Sequence, residues 1–371
     1  MKVLLSLMKL DIGGAETHVI ELAKELHRRG WEVIVTSNGG AFVKELEDFG
    51  IKHYSVPLQN KNPKNVMKAF RLLKQIIEDE NVDIVHSHAR IPSFILGKLH
   101  KKMGFPFVTT AHWVFTTKYG LKYITDWGQK TVAVSEDIKE YLMVNYKMPE
   151  SDITVTINGI DTDKFSPETD RKPAMEEFGL NDSDNTIVYV SRMDESRSLV
   201  AHHLIEAIKR LDPIVENLKA VIVGDGDDFA KVKAEAEAVN SELGREAIML
   251  AGARVDIAGL IAPCKLFVGV SRAALEAMAE AKPVIVAGNE GYIGTFGEDK
   301  LQEALDTNFC CRGCGDSTAD KLAQDIGEFF GMWQEDRDKL GQFGRNLILE
   351  NYSVKRMTDD NESVYKKVLG I

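Results

Sequence analysis

The feature that most constrains the fold is a regular alternation of short apolar runs and amphipathic stretches, starting at the first residues. KVLLSL at 2–7 has the length and apolar character of a buried strand. Residues 13–30 then carry apolar side chains at helical spacing, and WEVIVTS at 31–37 is a second strand-like run. A strand, a glycine turn, a helix and a strand in this order predict a parallel β-α-β unit.

The same alternation occurs twice in the chain, and 371 residues are enough for about two domains. Between the two occurrences, at 153–185, lies a segment that brings Asn, Gly, Asp and Pro together and then turns polar, which is typical of a linker. We therefore predict an N-terminal domain at 1–165, a second domain at 166–350, and a helix at 351–371 that packs back toward the first. Parallel sheets of this kind bind ligands at the carboxyl ends of their strands, so the domains should face each other across a cleft.

Bulk properties exclude several classes of protein. A net charge of −11 argues against a general nucleic-acid binder. No small-residue cleavage site follows the first apolar run, no run of eighteen apolar residues occurs, and the four cysteines fit no secreted disulfide framework. We expect a cytoplasmic protein whose membrane contact, if it has any, is peripheral and at the inner face.

The segment 61–74 leaves two explanations open. It spaces Lys and Arg residues among apolar ones as a helix would. Such a helix can lie on an anionic membrane that carries a lipid-linked acceptor. The commoner arrangement is a surface helix with its apolar face in the core, and we favour that.

Short motifs recur along the chain in a recognisable order. They are GGAE at 13–16, VHSH at 85–88, TTAH at 109–112, AVSED at 133–137, NGIDTDKF at 158–165, VGDGD at 223–227 and LEAMAEAKPVIV at 275–286. Together they resemble the retaining glycosyltransferases of family 4, over nearly the whole chain. The resemblance implies the GT-B fold, which is an α/β fold of two Rossmann-like, doubly wound parallel-sheet domains.

The same resemblance implies an activity. A sugar would pass from a UDP- or GDP-sugar donor to a glycan, a lipid-linked molecule or a small-molecule acceptor, as in polysaccharide or cell-envelope biosynthesis. No cofactor, bound metal or nucleic acid would be needed.

By this resemblance, Arg192 and Arg197 hold the diphosphate of the donor. Two cations match a pyrophosphate and stabilise the departing nucleotide, which makes both residues candidates for catalysis as well as binding. Arg197 stands where the family has a Lys, and a forked guanidinium is not equivalent to a point charge. The alternative is a solvated loop in which Asp194 and Glu195 are the partners of these arginines.

Glu276 matches the family residue that accepts hydrogen bonds from both ribose hydroxyls, although a Glu near a helix N-terminus also serves as a dipole partner. Many relatives place a second Glu eight residues earlier, where this chain has Val268. The loop between them is shortened to GVSRAA, which puts the identity of the sugar in doubt. Ser271 and Arg272 lie at this strand-to-helix turn, a position that suits phosphate contact.

Three glycines are further candidates for donor binding. Gly13 and Gly14 lie between the first strand and the first helix, where free N–H groups can point at a phosphate. A tight turn is the plainer explanation, and the spacing is not that of an NAD-binding loop. Gly291 belongs to a glycine-rich segment that we interpret as a turn, and a purely structural role is equally expected there.

Histidines follow two predicted strands of the first domain. The resemblance implies that His112, after FVTTA, reaches the donor sugar near the reacting centre. His86 and His88 follow VDIV; we interpret His86 as structural and regard His88 as a weaker candidate. We assign no nucleophile, because the enzymes that this chain resembles have no agreed protein nucleophile. We assign no metal site either: GDGDD at 224–228 has the character of a turn, and the cysteines of NFCCRGC are too few for a closed zinc site unless Cys264 joins them.

Two rival functions remain open at this stage. A nucleotide-sugar 2-epimerase shares the architecture and would change the donor without an acceptor. A catalytically degenerate protein would bind the nucleotide sugar and turn nothing over. The absent first Glu and the Arg at the Lys position are the reasons to consider it.

Overall fold

The computed structural model describes residues 1–11 and 13–371, apart from the side chain at 119. The described residues divide into two compact units. Unit 1 comprises Met1–Gly159 and Ser353–Ile371, and unit 2 comprises Ile160–Tyr352. The chain thus leaves unit 1 after 159 rather than at 165, and it returns at 353 rather than 351.

The described part of unit 1 is built on one seven-stranded sheet with the order β3-β2-β1-β4-β5-β6-β7. Its strands are β1 Lys2–Ser6, β2 Glu32–Ser37, β3 Lys52–Ser55, β4 Ile84–Ser87, β5 Phe107–Ala111, β6 Lys130–Ala133 and β7 Ile153–Val155. Neighbouring strands pair in parallel, in agreement with the β-α-β prediction. The last strand, β7, lies in a segment that we had assigned to the linker.

Helices cover both faces of this sheet. They are α1 Gly14–Arg28, α2 Val43–Asp48, α3 Pro63–Asp79, α4 Arg90–Met103, α5 Leu121–Ile124, α6 Glu136–Tyr141 and, from the end of the chain, α15 Val354–Leu369. One apolar core includes residues of β1, β2, α1 and α15, and a second includes residues of β4, α3 and α4. The sheet is therefore buried on both sides, as all-parallel sheets are.

Helix α3 contains the basic segment for which two explanations were open. Its Ala69, Leu73, Ile76 and Ile77 are buried in the second core. Asn62 caps the N-terminus by accepting a hydrogen bond from the Lys64 amide, and Pro63 occupies the first turn. The apolar face of this helix thus packs into the protein, as we favoured. Within the described residues, no helix is long and apolar enough to cross a membrane.

The C-terminal helix α15 is part of unit 1 and packs against α1. At this contact the Arg29 guanidinium lies 2.6 Å from the Asp359 carboxylate and 2.7 Å from that of Glu362, and it also donates to the Lys355 carbonyl. The indole N–H of Trp31 donates to Glu362 over 2.7 Å. These contacts fix the end of the chain on the first helix.

The described part of unit 2 has a six-stranded sheet with the order β10-β9-β8-β11-β12-β13. Its strands are β8 Asn185–Val190, β9 Leu218–Val223, β10 Ile248–Gly252, β11 Leu266–Gly269, β12 Val284–Gly288 and β13 Gly291–Thr295. Strand β13 runs antiparallel to β12. We had expected a turn here, but two residues are enough for a hairpin and far too few for a parallel crossover.

The helices of unit 2 complete a second doubly wound domain. They are α7 Lys172–Glu177, α8 Leu199–Leu211, α9 Phe229–Leu243, α10 Ile257–Ile261, α11 Ser271–Ala279, α12 Leu301–Asp306, α13 Ala319–Gly331 and α14 Gln334–Asn351. An apolar core joins β8, β9 and β11 to α8, α9 and α13. Both units therefore have the α/β architecture that the sequence predicts.

In each sheet, the chain reverses its direction of winding at one pair of neighbouring strands. The pair is β1 and β4 in unit 1, and β8 and β11 in unit 2. Loops from the carboxyl ends of two such strands leave toward opposite faces, so a crevice opens between them. These two positions are where the fold predicts ligand sites.

We expect Arg29→Ala to lower the free energy of unfolding of unit 1 by about 1–3 kcal/mol, because it leaves carboxylates at the α1–α15 contact without their cation. Urea denaturation followed by tryptophan fluorescence measures this effect. Lys44→Ala is the control, because Lys44 and Asp48 form an exposed pair on α2 and such pairs contribute little. Equal stability of the two variants would show that the Arg29 contacts do not hold α15 in place.

Candidate functional site

The winding reversal of unit 2 brings the predicted donor-binding residues to one edge of the sheet. Strands β8 and β11 are parallel neighbours. Arg192 and Arg197 follow β8, and Ser271, Arg272 and Glu276 belong to the helix that follows β11. Neighbouring strands lie about 4.8 Å apart, so these residues come from two adjacent strand ends.

The two arginines differ in their surroundings. Arg192 is exposed, and among the described residues no acidic side chain lies within ion-pair distance of its guanidinium. Arg197 lies 3.8 Å from the Asp194 carboxylate, and its amide donates to the Asp194 carbonyl over 2.8 Å. Glu195 instead contacts Lys231 at 3.3 Å. Arg192 is thus the cation best placed to meet an anionic ligand.

The turn GDGDD supports the loop that carries Arg192. A Cβ on Gly224 would overlap the Ser191 carbonyl, and a Cβ on Gly226 would overlap the Met193 backbone. The Met193 amide donates to the Asp225 carbonyl over 3.0 Å. The glycines therefore let two loops pack backbone against backbone, which explains this motif without a metal.

Asp228 ties the same two loops together by side chains. Its carboxylate accepts hydrogen bonds from the Ser198 hydroxyl at 2.6 Å and from the His202 ring at 2.9 Å, and it pairs with Lys231 at 2.8 Å. The lysine, hydroxyl and imidazole contacts hold the pKa of Asp228 well below its usual range. Asp228 stays ionised and anchors the start of α8 beside the Arg192 loop.

The connection from β11 to α11 is very short, because Val270 alone separates them. Ser271 has a φ of 53°, in the left-handed region, where a non-glycine residue costs about 1–3 kcal/mol. Its amide donates to the Phe309 carbonyl over 2.7 Å. The Ser271 N–H therefore already has an acceptor within the protein, which weakens its candidacy as a phosphate ligand.

Arg272 and Glu276 form an ion pair on α11. The Arg272 Nε atom lies 2.8 Å from a Glu276 carboxylate oxygen, and the side chains are only 12% and 10% exposed. Glu276 thus enters the site as a carboxylate that already has a neighbouring cation. A ribose hydroxyl would have to share this carboxylate with Arg272.

Gly291 begins β13 and packs against the cysteine-containing loop. A Cβ at this position would overlap the Cys311 carbonyl. The Cys311 thiol is buried and lies 3.6 Å from the Val286 carbonyl, and burial raises its pKa to about 12. This packing explains both the glycine and the cysteine without a ligand.

The winding reversal of unit 1 is occupied by histidines. His88 follows β4, His112 follows β5, and His18 comes from α1. His88 Nδ1 lies 3.1 Å from His112 Nε2, and the ring centroids of His18 and His112 are 4.7 Å apart. One ring nitrogen from each of the three lies within 4.8 Å of the other two.

Burial keeps His86, His88 and His112 neutral at physiological pH. Burial lowers the pKa of His86 to about 3 and that of His112 to about 4, and it lowers the pKa of His88 well below the usual value. His86 is held by the Tyr365 hydroxyl and the Thr110 hydroxyl, each at 2.7 Å. That arrangement agrees with the structural role we expected for His86.

A carboxylate from the first turn of α1 lies against the glycine turn that follows β1. Gly13 is the N-cap of α1 in an extended conformation, and the Glu16 carboxylate lies against it where a Cβ would stand. A Cβ on Gly14 would meet open space. A negative charge at the helix N-terminus opposes a second anion there, which counts against phosphate binding at Gly13 and Gly14.

A separate pocket of unit 2 lies at the opposite edge of its sheet. Its lining includes Thr186, Lys265 and Pro283, which lie at or just before the amino ends of β8, β11 and β12. Ligands of parallel sheets bind at the carboxyl edge. We therefore do not assign the nucleotide to this pocket.

Comparison with known families decides the class of the protein. Residues 12–164 match the model described as Glycosyltransferase Family 4, and residues 170–347 match that of Glycosyl transferases group 1. The chain is a family 4 glycosyltransferase. It therefore belongs to a family of sugar-transferring enzymes with the GT-B fold, as the motif order indicated.

Individual relatives span nearly the whole length of this glycosyltransferase. It is 23% identical over 385 residues to N-acetyl-alpha-D-glucosaminyl L-malate synthase of Bacillus anthracis, covering 97% of this chain and 95% of that protein. A glycosyltransferase from Rickettsia africae superposes with a TM-score of 0.79 at 26% identity, covering 99% and 98% of the two chains. Anabaena HepE, solved with UDP, has a TM-score of 0.74 at 18% identity, covering 99% and 100%.

Sequence reasoning missed three features of these sites. His18 gave no signal, because a histidine in an amphipathic helix does not show which face it occupies. The anchor formed by Ser198, Asp228 and His202 joins residues about thirty positions apart, and no motif marked it. The pairing of Arg272 with Glu276 was accessible, since residues four apart on a helix are neighbours.

We expect Gly226→Ala to weaken binding of a nucleoside diphosphate by about tenfold or more, because the added methyl group displaces the loop that carries Arg192. Calorimetric titration with UDP and GDP measures this. Gly331→Ala is the matched control, since a Cβ there meets nothing within 4 Å. A folded Gly226→Ala protein that binds both nucleotides like wild type would separate this turn from nucleotide binding.

Proposed function

We propose that this glycosyltransferase moves a hexose from a UDP-sugar onto a hydroxyl group of a glycan, a lipid-linked molecule or a small acceptor, with retention of the anomeric configuration. The observation that carries the proposal is the exposed Arg192, which has no acidic partner among the described residues and lies at the winding reversal of unit 2. UDP is preferred over GDP because HepE, of the same fold, was solved with UDP.

Arg192 and Arg197 stabilise the leaving group. As the bond between the sugar C1 and the β-phosphate oxygen breaks, the diphosphate gains negative charge. Guanidinium groups at this point interact more strongly with the transition state than with the bound donor, which is the requirement for catalysis. These two fixed cations take the place of a metal ion, so transfer proceeds without one.

Glu276 accepts hydrogen bonds from the ribose hydroxyls. The Arg272 contact at 2.8 Å holds this carboxylate in one position. Arg272 therefore acts as a positioning residue for the ribose. For His112 we propose, from the family resemblance, that its neutral imidazole exchanges a hydrogen bond with a hydroxyl of the transferred sugar. A cytoplasmic location, with peripheral contact at the inner membrane face if the acceptor is lipid-linked, is part of the same proposal.

Three single substitutions should change the binding of UDP and of uridine in different ways. Arg192→Ala and Arg197→Ala should weaken UDP binding far more than uridine binding, because each lost charge-assisted contact contributes about 1.5–3 kcal/mol. Arg192→Ala should have the larger effect, since Asp194 already attracts Arg197. Glu276→Ala should weaken the binding of UDP and of uridine to the same extent, and it should reduce discrimination against 2′-deoxyuridine nucleotides. Isothermal titration calorimetry of the variants with each ligand measures this.

The control for these variants is Arg210→Ala. Arg210 lies on α8 and pairs with Glu206 and Asp320, away from the loop after β8. The Arg210→Ala protein should bind UDP with the affinity of the wild type. If Glu276→Ala bound every ligand as well as wild type, the ribose assignment would be wrong and Glu276 would be only a partner of Arg272.

Turnover separates the proposed activity from its rivals. A panel of UDP- and GDP-sugars incubated with and without acceptors should release nucleoside diphosphate only when a suitable acceptor is present. Epimerisation of the donor alone would indicate a nucleotide-sugar 2-epimerase. Tight nucleotide binding with no turnover on any acceptor would support a degenerate binding protein.

A further inference from the structure

The histidine cluster of unit 1 is larger than the proposed reaction requires. The reaction uses His112, whereas His18 and His88 have no role in it. Nevertheless, one ring nitrogen from each of these three side chains lies within 4.8 Å of the others. Three converging imidazoles are the donor set of many zinc sites that keep a fourth position open.

We propose that His18, His88 and His112 bind a divalent transition-metal ion, for which Zn²⁺ is the best match, and that the bound ion inhibits sugar transfer by occupying His112. The metal site is independent of the proposed function. The inhibition rests on the role that we propose for His112 in transfer.

The distances in the cluster are close to those of a metal site. His88 Nδ1 and His112 Nε2 are 3.1 Å apart. Two nitrogens on a tetrahedral zinc ion, with bonds of about 2.0–2.1 Å, are separated by roughly 3.4 Å. This pair therefore needs little change to receive an ion. The third ring, His18, stands nearly perpendicular to His112, with an interplanar angle of 82°.

Neighbouring groups orient these rings. His18 Nδ1 donates to the Asn158 side-chain oxygen over 3.3 Å, and this tautomer ligates through Nε2. A second-shell acceptor on the far nitrogen is the usual partner of a metal-binding histidine. On the other side, the ring of His86 lies 4.1 Å from that of His88, measured between centroids, and helps to fix its plane.

The surroundings favour binding of a soft cation by nitrogen. His18 and His88 are buried, at 0% and 4% exposed. His112 is only partly buried, which leaves a route for an ion. Imidazole nitrogens suit Zn²⁺, whereas Mg²⁺ and Ca²⁺ require oxygen ligands. The site should therefore discriminate against Mg²⁺.

Direct binding is the first test. Metal-free protein is titrated with Zn²⁺ against a chromophoric chelator, and the affinities of His18→Gln and His88→Gln are compared with wild type. Each should bind at least about tenfold more weakly, since even second-shell partners contribute about 10–100-fold. His27→Gln is the matched control, because His27 is an exposed histidine on the same helix. Wild-type affinity in folded His18→Gln, or equal loss in His27→Gln, would overturn the site.

Two further measurements do not depend on variants that lose a buried side chain. Asn158→Asp should bind Zn²⁺ more tightly than wild type, because a carboxylate makes His18 a more basic ligand. Wild-type protein with Co²⁺ should show the strong visible absorption of a four- or five-coordinate ion. A spectrum of hexaaqua Co²⁺ alone would overturn the proposal.

Transfer assays then test the inhibition. The ratio of rates with and without Zn²⁺ is measured within each protein, with Mg²⁺ and EDTA as comparisons. Wild type should be inhibited by Zn²⁺, recover in EDTA and be insensitive to Mg²⁺, and His18→Gln should lose sensitivity to Zn²⁺. Zinc binding without inhibition would contradict the role of His112 in transfer while leaving the metal site in place.

Discussion

The structure depends on the geometry of parallel strands, because strands joined by helices all end at the same edge of their sheet. In each unit the winding reverses once, between β1 and β4 and between β8 and β11. Loops leave these strand ends toward opposite faces and open a crevice between them. The functional candidates that the structure supports most strongly follow strands at or beside these reversals, although they are far apart in sequence. The fold thus determines where chemistry can occur before any side chain is considered.

The two crevices differ in their electrostatics, and the difference indicates what each can bind. In unit 2, an exposed arginine without an acidic partner among the described residues follows β8, and the largely buried Arg272–Glu276 pair follows the neighbouring strand β11. That combination suits a charged diphosphate attached to a hydroxyl-bearing ribose. In unit 1, burial keeps His88 and His112 neutral. Neutral imidazoles suit sugar hydroxyls or a transition-metal ion, and the two ligands would compete for His112.

The sequence was sufficient to predict the architecture, because long apolar runs and helical spacing are local signals. It also made Arg192 a candidate, through the family resemblance and a place directly after an apolar run, and its role in binding stays a prediction. It failed where structure depends on distant residues. The Ser271 amide is taken by the carbonyl of Phe309, which no local pattern reveals. The glycine-rich sequence of β13 is typical of a turn. Only the structure shows why this strand has glycine at 291, where a Cβ would overlap the Cys311 carbonyl. His18 became visible only once α1 was placed against the sheet.

The proposed mechanism requires a nucleoside diphosphate to bind at the carboxyl ends of β8 and β11. Hydrogen–deuterium exchange of the whole protein with and without saturating UDP tests it most directly, because bound ligand slows exchange of the amides it orders. We predict protection in residues 191–198 and at the start of α11, with no change at the amino ends of β8 and β12. Protection confined to the amino edge, around Thr186 and Pro283, or absent from 191–198 while UDP is demonstrably bound, would show that the nucleotide binds elsewhere.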